Sequence, residues 1–296
     1  MATTIAQAFS EFKGNLEITE WQSSLVSTRR QNVVTALGKE LWLHADSAKV
    51  IGSWDRHTLT RYLSEGDVDI MVVLDYGKHS DWYTSDGSVK ALDRFKSILD
   101  GAFPQTDKRR DRNCITMQFS EFRLDVVPAF KHDGDYYSVP DSVRKTWVPT
   151  DPIGFASGIT QINTAMGGSF VPVIKMVKGW NRNNGWVLRS FHLECMLYQR
   201  YQGYSQGYTY PSMLTELFKA MPGYLGYTCS DPIRGDQVDS YLDNYAAKTR
   251  RQIAIEKAKA AASASEEAYG DQDKYGPSVA IKEWKALLGE FFPSYG

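Results

Sequence analysis

Residues 66–74 read Gly66-Asp67-Val68-Asp69-Ile70-Met71-Val72-Val73-Leu74. From Val68 to Leu74 the run is β-branched and apolar, the composition of a buried strand. Side chains alternate along a strand, so Asp67 and Asp69 point to one side, about 6.6 Å apart. Downstream, Phe122-Arg123-Leu124-Asp125-Val126-Val127 places one acid inside another apolar run, where an unpaired carboxylate is costly. If the two strands are neighbours, three carboxylates converge. Two unit charges about 5 Å apart repel by roughly 3 kcal/mol at an effective dielectric near 20, so such a cluster calls for a divalent cation. Hard oxygen ligands suit Mg²⁺. Two such ions about 3.5–4 Å apart would clamp the attacking and leaving oxygens of an in-line phosphoryl displacement.

Working upstream, Lys49-Val50-Ile51 leads into Gly52-Ser53. Gly52 allows close backbone approach to a phosphate, and Ser53 offers a hydroxyl and an amide to it. Before that, Thr19 and Gln22 form a capping box, and Val26, Val33, Val34, Leu37 and Leu41 give a helical apolar stripe. A helix near Ser88–Leu99 follows the first acid strand. Cys114–Phe119 and Phe122–Phe130, joined by Ser120-Glu121, read as a hairpin. After Pro149 the character turns helical: Ile159–Ala165, Pro172–Trp180, Phe191–Tyr201, Met213–Ala220 and a long helix from about Val238 to Ala268. Within it Glu256–Ala268 has few large apolar residues and is expected to be mostly solvated. Gly270–Pro277 reads as a loop, and Ile281, Trp284, Leu287 and Leu288 as a last amphipathic helix ending at Gly289. The expected fold is α+β, a mixed-sheet core over residues 1–149 and a helical lobe over 150–296, with the site in the cleft between them.

Composition narrows the chemistry. The 296 residues carry 34 Lys plus Arg against 35 Asp plus Glu, a net charge of -1, so no global positive field attracts nucleic acid. Apolar runs are too short to cross a bilayer and no signal peptide opens the chain, which points to the cytoplasm and no membrane partner. Cys114, Cys195 and Cys229 form neither a disulfide framework nor a zinc pattern. No Walker-type loop or dinucleotide fingerprint occurs.

Gly52-Ser53, Asp67-Val68-Asp69 and Leu124-Asp125-Val126-Val127 resemble the signature of the DNA polymerase β-type nucleotidyltransferase superfamily. Gly52-Ser53-Trp54 with Thr58 is similar to the start of the bacterial cGAS-like enzymes (CD-NTases), which make cyclic oligonucleotide signals in anti-phage defence. Lys175-Met176-Val177-Lys178-Gly179-Trp180-Asn181 resembles their spine helix, and Arg189-Ser190-Phe191-His192-Leu193-Glu194 the start of a second helix. Trp284 through Pro293 is similar to their ending. The resemblance implies a polymerase β-like core in which Asp67, Asp69 and Asp125 hold two Mg²⁺, with Asp125 helping to deprotonate the attacking ribose hydroxyl. It further implies that Ser53 and Ser190 contact the triphosphate, that Lys178, with Lys175 as a second phosphate candidate, neutralises it, and that Phe191 stacks on a base. Nucleoside triphosphates would be the substrates, the product a cyclic di- or trinucleotide sensed by a downstream effector in CBASS signalling.

In relatives a residue near Thr150 reads the base, and its small hydroxyl there implies at least one purine substrate; a plain helix-capping role is its structural alternative. Gly296 fits conjugation by an E1–E2-like partner enzyme, as in some relatives, while an unstructured terminal glycine is the common condition. No Cys/His cluster matches the zinc element of animal cGAS, so activation by double-stranded DNA is not expected. Lys108, Arg109, Arg110 and Arg112 read as a solvated basic turn, and Arg250-Arg251 as a solvated helix face. His57 and His192 read as packing or loop residues, and Tyr201–Tyr210 as a surface loop. The same core admits linear transfer or RNA tailing, or a catalytically silent nucleotide-binding regulator.

Overall fold

The computed structural model describes residues 2–45, 47–134, 136–205, 208–243 and 249–296. The chain forms two compact units, one joining Met1–Glu17 to Gly158–Gly296, the other spanning Ile18–Ser157. Helix α1 (Ile5–Asn15) opens the first of these and buries Ile5, Ala8, Phe9 and Phe12.

The Ile18–Ser157 unit is built on a sheet. It begins with α2 (Glu20–Gly38), whose N-terminus is closed by the Thr19–Gln22 capping box. Then come β1 (Lys49–Ile51), the one-turn α3 (Gly52–Asp55), β2 (Asp67–Leu74), the short α4 (Tyr76–His79) and α5 (Gly87–Ala102). Strands β3 (Asp107–Arg110), β4 (Ile115–Gln118), β5 (Arg123–Lys131), β6 (Tyr137–Asp141) and β7 (Thr146–Thr150) complete it. The strand order is β1-β2-β5-β4-β3, with β6 paired to β5 and β7 to β6. Only β2 and β5 run parallel in a sheet otherwise antiparallel, so the sheet is mixed.

Alternation sorts the two faces. Val68, Ile70, Val72 and Leu74 of β2, with Leu124, Val126 and Phe130 of β5, join Val26, Val33 and Leu37 of α2 and Leu92, Phe95 and Leu99 of α5 in one core. Met71, Val73, Ala129 and Tyr137 form a smaller cluster on the opposite face. By the same alternation, Asp67, Asp69 and Asp125 share that second face.

Helix α6 (Pro152–Ala165) contains the division between the units. The helical unit continues with α7 (Phe170–Asn183), α8 (Ser190–Tyr201), α9 (Tyr210–Leu225), α10 (Arg250–Tyr275) and α11 (Pro277–Leu288). Its core sets Phe9 edge-on to Trp284 and Phe292, with ring centroids 5.1 and 5.0 Å away, and Trp180 against Phe218 at 5.3 Å. Such offset and edge contacts suit the aromatic quadrupole.

Several expectations need correction. The long helix begins at Arg250, where Thr249 and Gln252 form a second capping box. Ser240–Asp243 is a separate 3-10 turn, and residues 244–248 of the expected helix lie outside the described residues. No loop spans Gly270–Pro277: α10 runs on to Tyr275, and Gly276 at φ 83° alone turns the chain into α11. A glycine inside a helix costs only about 1 kcal/mol, so Gly270, with open space where its side chain would be, does not stop it. Glu256–Ala268 is mostly solvated, as expected, apart from one buried stripe on α10. Ala254, Ala258, Ala261, Ser265 and Ala268 recur every three or four residues and are buried, small enough to let backbones pack closely.

The basic segment is no turn. Lys108, Arg109 and Arg110 form edge strand β3, where charge discourages further strand pairing. Arg110 pairs with Asp93, and Arg112 with Asp141 at 2.6 Å. Arg251 is likewise no free surface charge, because it binds Asp239 at 2.8 Å and Asp243 at 2.6 Å. Of the expected Tyr201–Tyr210 loop, Tyr201 ends α8, Tyr210 opens α9, and residues 206 and 207 lie outside the described residues. The C-terminus is not loose: Gly296 N donates to Ala2 O at 3.3 Å beside an Ala2–Tyr295 bridge. Among the described residues, no helix is long and apolar enough to cross a membrane.

Candidate active site

Parallel pairing of β2 with β5 sets Asp69 directly opposite Asp125, and Asp67 opposite Arg123. Neighbouring strands lie about 4.8 Å apart, so Asp69 and Asp125 project side by side from one face. Arg123 projects there too, and its Nη2 lies 2.5 Å from Asp67 Oδ1.

Asp125 Oδ1 is out of solvent and has no hydrogen-bond partner. Burial pushes the Asp125 carboxyl pKa up, and the negative charge of Asp67 adds to this. The Thr116 hydroxyl, the Arg123 charge and the Cys114 side chain pull the other way. Thr116 stands opposite Asp125 on β4. The neighbouring Cys114 thiol is itself pushed up, chiefly by burial and then by the charge of Asp125.

Gly52 completes this face. Its φ is 71°, and a Cβ there would stand 2.2 Å from Asp69 Oδ2. Only glycine leaves the Asp69 carboxylate its place while the backbone turns from β1 into α3. Ser53 follows, its carbonyl accepting from both Thr58 N and Leu59 N at 2.9 Å. Thr58, fully buried, thus closes the loop that presents Ser53. These features fit a cation: three carboxylates on one face, a buried carboxylate oxygen lacking a donor, and a glycine where any side chain would intrude. A different acidic group, Glu267, Asp271 and Glu283 of the helical unit, is the one whose carboxylate oxygens all lie within 4.8 Å of one another among the described residues. Asp67, by contrast, is turned to Arg123.

In the helical unit, Ser190 is the first residue of α8, and Phe191 beside it is 37% exposed. The start of this 12-residue helix is the kind of position that favours anions. Asn181, fully buried, holds the preceding turn twice: its Nδ2 donates to Leu188 O at 2.7 Å and Leu188 N donates to its Oδ1 at 3.0 Å. Lys178 is also buried, and its Nζ lies 2.6 Å from Glu194 Oε1. Lys175 Nζ meets Glu17 Oε2 at 2.6 Å. Thr150 ends β7 opposite Tyr137, half-buried. The start of α6 is served instead by Asp151, whose Oδ1 accepts from Gly154 N at 2.7 Å.

The profile of the Second Messenger Oligonucleotide or Dinucleotide Synthetase (SMODS) domain matches residues 3–163, more than half the chain. The chain belongs to this family. A cyclic AMP-AMP-AMP synthase of Acinetobacter sp. is 26% identical over 260 residues, covering 82% of this chain and 71% of that protein. A probable cyclic nucleotide synthase of Bacillus cereus is 24% identical over 228 residues, covering 70% and 64%. In fold, the chain is similar to the Vibrio cholerae cyclic AMP-GMP synthase DncV, a prokaryotic cGAS homolog, with TM-score 0.76, 12% identity and 98% of each chain covered. This SMODS chain is a bacterial cGAS-like nucleotidyltransferase with a polymerase β-like core.

Three positions in the SMODS chain escaped the reading of the sequence. Thr116 was recoverable, since a short loop at Ser120-Glu121 fixes the hairpin register that sets it opposite Asp125. Arg123 has no local signal, because its partner Asp67 lies on another strand. Tyr241 carried no signal, yet its hydroxyl accepts from Arg189 N at 2.8 Å and lies 3.0 Å from His192 Nδ1, bracing the start of α8.

His192 also gives a pH test. Burial lowers its pKa to about 4, with the Asp239 charge opposing and the Arg251 charge assisting. A histidine held neutral in the fold is stabilising in full above its unfolded value of about 6.5. That stability is lost as pH falls through 6.5 toward 4, by at most about 3 kcal/mol. Urea titrations from pH 4 to 7 are expected to show the SMODS chain losing more stability on acidification than His192→Gln. Parallel curves for the two proteins would discard the assignment.

Proposed function

We propose that this chain joins nucleoside triphosphates into a cyclic di- or trinucleotide second messenger, with magnesium as the working ion, at least one purine in the product, and a place in anti-phage (CBASS) signalling in the cytoplasm. One observation carries the reading: Asp69 and Asp125 stand opposite each other on parallel strands, beside Gly52, with a buried Asp125 oxygen that no donor reaches.

Asp67, Asp69 and Asp125 would hold the ions, which when bound neutralise the triphosphate and make the ribose hydroxyl more acidic. Asp125 helps to take the proton of that hydroxyl. The hydroxyl oxygen forms a bond to the α-phosphorus as the bond to pyrophosphate breaks, and pyrophosphate leaves with its electron pair. Ser53 and the first turn of α8 at Ser190 bind phosphate oxygens, and Phe191 stacks on a base, a contact worth about 1–3 kcal/mol. Lys178 and Lys175 enter this scheme as supports, because each ammonium already has a carboxylate at 2.6 Å. Thr150 is the proposed base reader. Gly296 is the proposed terminal residue that an E1–E2-like partner conjugates to target proteins, once it is lifted from Ala2.

The test supplies ATP, GTP, CTP and UTP with Mg²⁺, treats the products with phosphatase and identifies them by mass spectrometry. A phosphatase-resistant cyclic product containing a purine is expected. Linear oligomers alone would replace the proposal with chain extension, and a product made only of uridine would remove the purine assignment.

A further inference from the structure

We infer that Arg123 is a resident counter-ion that competes with a divalent ion for Asp67 and yields that carboxylate when a triphosphate arrives. The inference rests on the reading of Asp67, Asp69 and Asp125 as ion ligands given above. Arg123 and Asp67 are register partners at the beginnings of β5 and β2, so both side chains lie on the acid face by construction. The guanidinium nitrogen sits 2.5 Å from Asp67 Oδ1. An ion that used Asp67 would meet the guanidinium at the same carboxylate.

The pair can exchange partners. Arg123 and Asp67 side chains are 38% and 45% exposed, unlike Lys178–Glu194, where the two are 4% and 0% exposed. Pairs open to water are worth at most about 1 kcal/mol, so neither partner is locked. A guanidinium also binds phosphate oxygens through two parallel N–H donors, a stronger arrangement than one carboxylate contact. Phosphate oxygens reaching the acid face therefore draw Arg123 from Asp67. Lys49, a second cation on this side of the sheet, already sits over the Tyr137 ring at 5.6 Å. In the absence of nucleotide, Arg123 lowers the affinity for free ions; with nucleotide, it becomes a phosphate ligand and the acid face opens.

The two functions predict opposite signs for one substitution. In the full-length chain, Arg123→Gln should bind Mn²⁺, followed by the electron paramagnetic resonance signal of the free ion, about fivefold tighter than the unaltered protein when no nucleotide is present. In EDTA, the same variant should bind α,β-methylene-ATP several times more weakly. Arg123→Lys should keep Mn²⁺ binding near the unaltered level, since the charge remains, and still weaken the analogue. A structural role alone would weaken both ligands together. Mn²⁺ binding that is unchanged or weaker in Arg123→Gln, with an unaltered melting curve, overturns the competition. If the unaltered protein binds no Mn²⁺ that Asp125→Asn removes, the ion-site reading falls first and takes this inference with it.

Discussion

Replacing Asp67 and Asp69 together by alanine is expected to lower nucleotide joining by at least roughly a thousandfold while the protein stays folded. That magnitude follows from removing the charges that would hold the ions and, through them, stabilise the transferring phosphoryl group. The fold should survive because Asp67 is exposed, Asp69 is half-buried, and the apolar residues of β2 between and beyond them are untouched. Asp125→Asn is the companion experiment. Its carboxyl is pushed toward the neutral form by burial and by Asp67, so the amide relieves a repulsion. Without divalent ions its melting midpoint should rise rather than fall. Added Mg²⁺ should then raise the midpoint of the unaltered protein but not of the variant. Retained synthesis in the double alanine variant would end the assignment of this face as the catalytic one.

The second large effect concerns Lys178 and Glu194. Both charges lie inside the helical unit, and breaking such a pair leaves one of them uncompensated, at about 3–5 kcal/mol. Glu194→Ala alone should therefore cost that amount in urea denaturation. Lys178→Met combined with Glu194→Leu should recover most of it, because apolar residues of similar volume are often as stable as the pair. A loss below about 1 kcal/mol for Glu194→Ala would show that Lys178 is not balanced there, and would return it to the triphosphate. The double variant carries the functional half of the argument. Activity kept in it is expected if Lys178 is a support, whereas a strong rise in nucleotide KM with unchanged stability would make it a phosphate ligand.

Much of the fold could be read from the chain because local rules agreed with global ones. The Thr19–Gln22 box marked the start of α2, and the hairpin at Ser120-Glu121 placed β4 against β5. Asp67 and Asp69 marked the start of β2 because two acids at alternate positions, followed by an apolar run, share one side of an extended backbone. What escaped was decided by partners distant in sequence. The basic segment read as solvated, and Arg109, Arg110 and Arg112 are exposed, but nothing nearby in the chain shows that Asp93 and Asp141 pair with Arg110 and Arg112. The buried alanines of α10 gave no stripe of large apolar residues to read, because their value lies in letting neighbouring helices approach, which only packing reveals. The motif around Lys178 names the lysine and gives no sign of Glu194, its partner one helix later.

The pairing of β2 with β5 has a kinetic corollary. The β4–β5 hairpin closes over a short loop, so its strands can meet early. Parallel alignment of β2 needs a long segment, including α4 and α5, to be brought around first, and contacts of that kind are slow to close. Asp69 and Asp125 should therefore meet only after that hairpin has closed. Until then each acid remains apart from the other and hydrated, so their mutual repulsion does not burden nucleation; it falls on the return path, where it should hasten the parting of β2 from β5 when no ion is present.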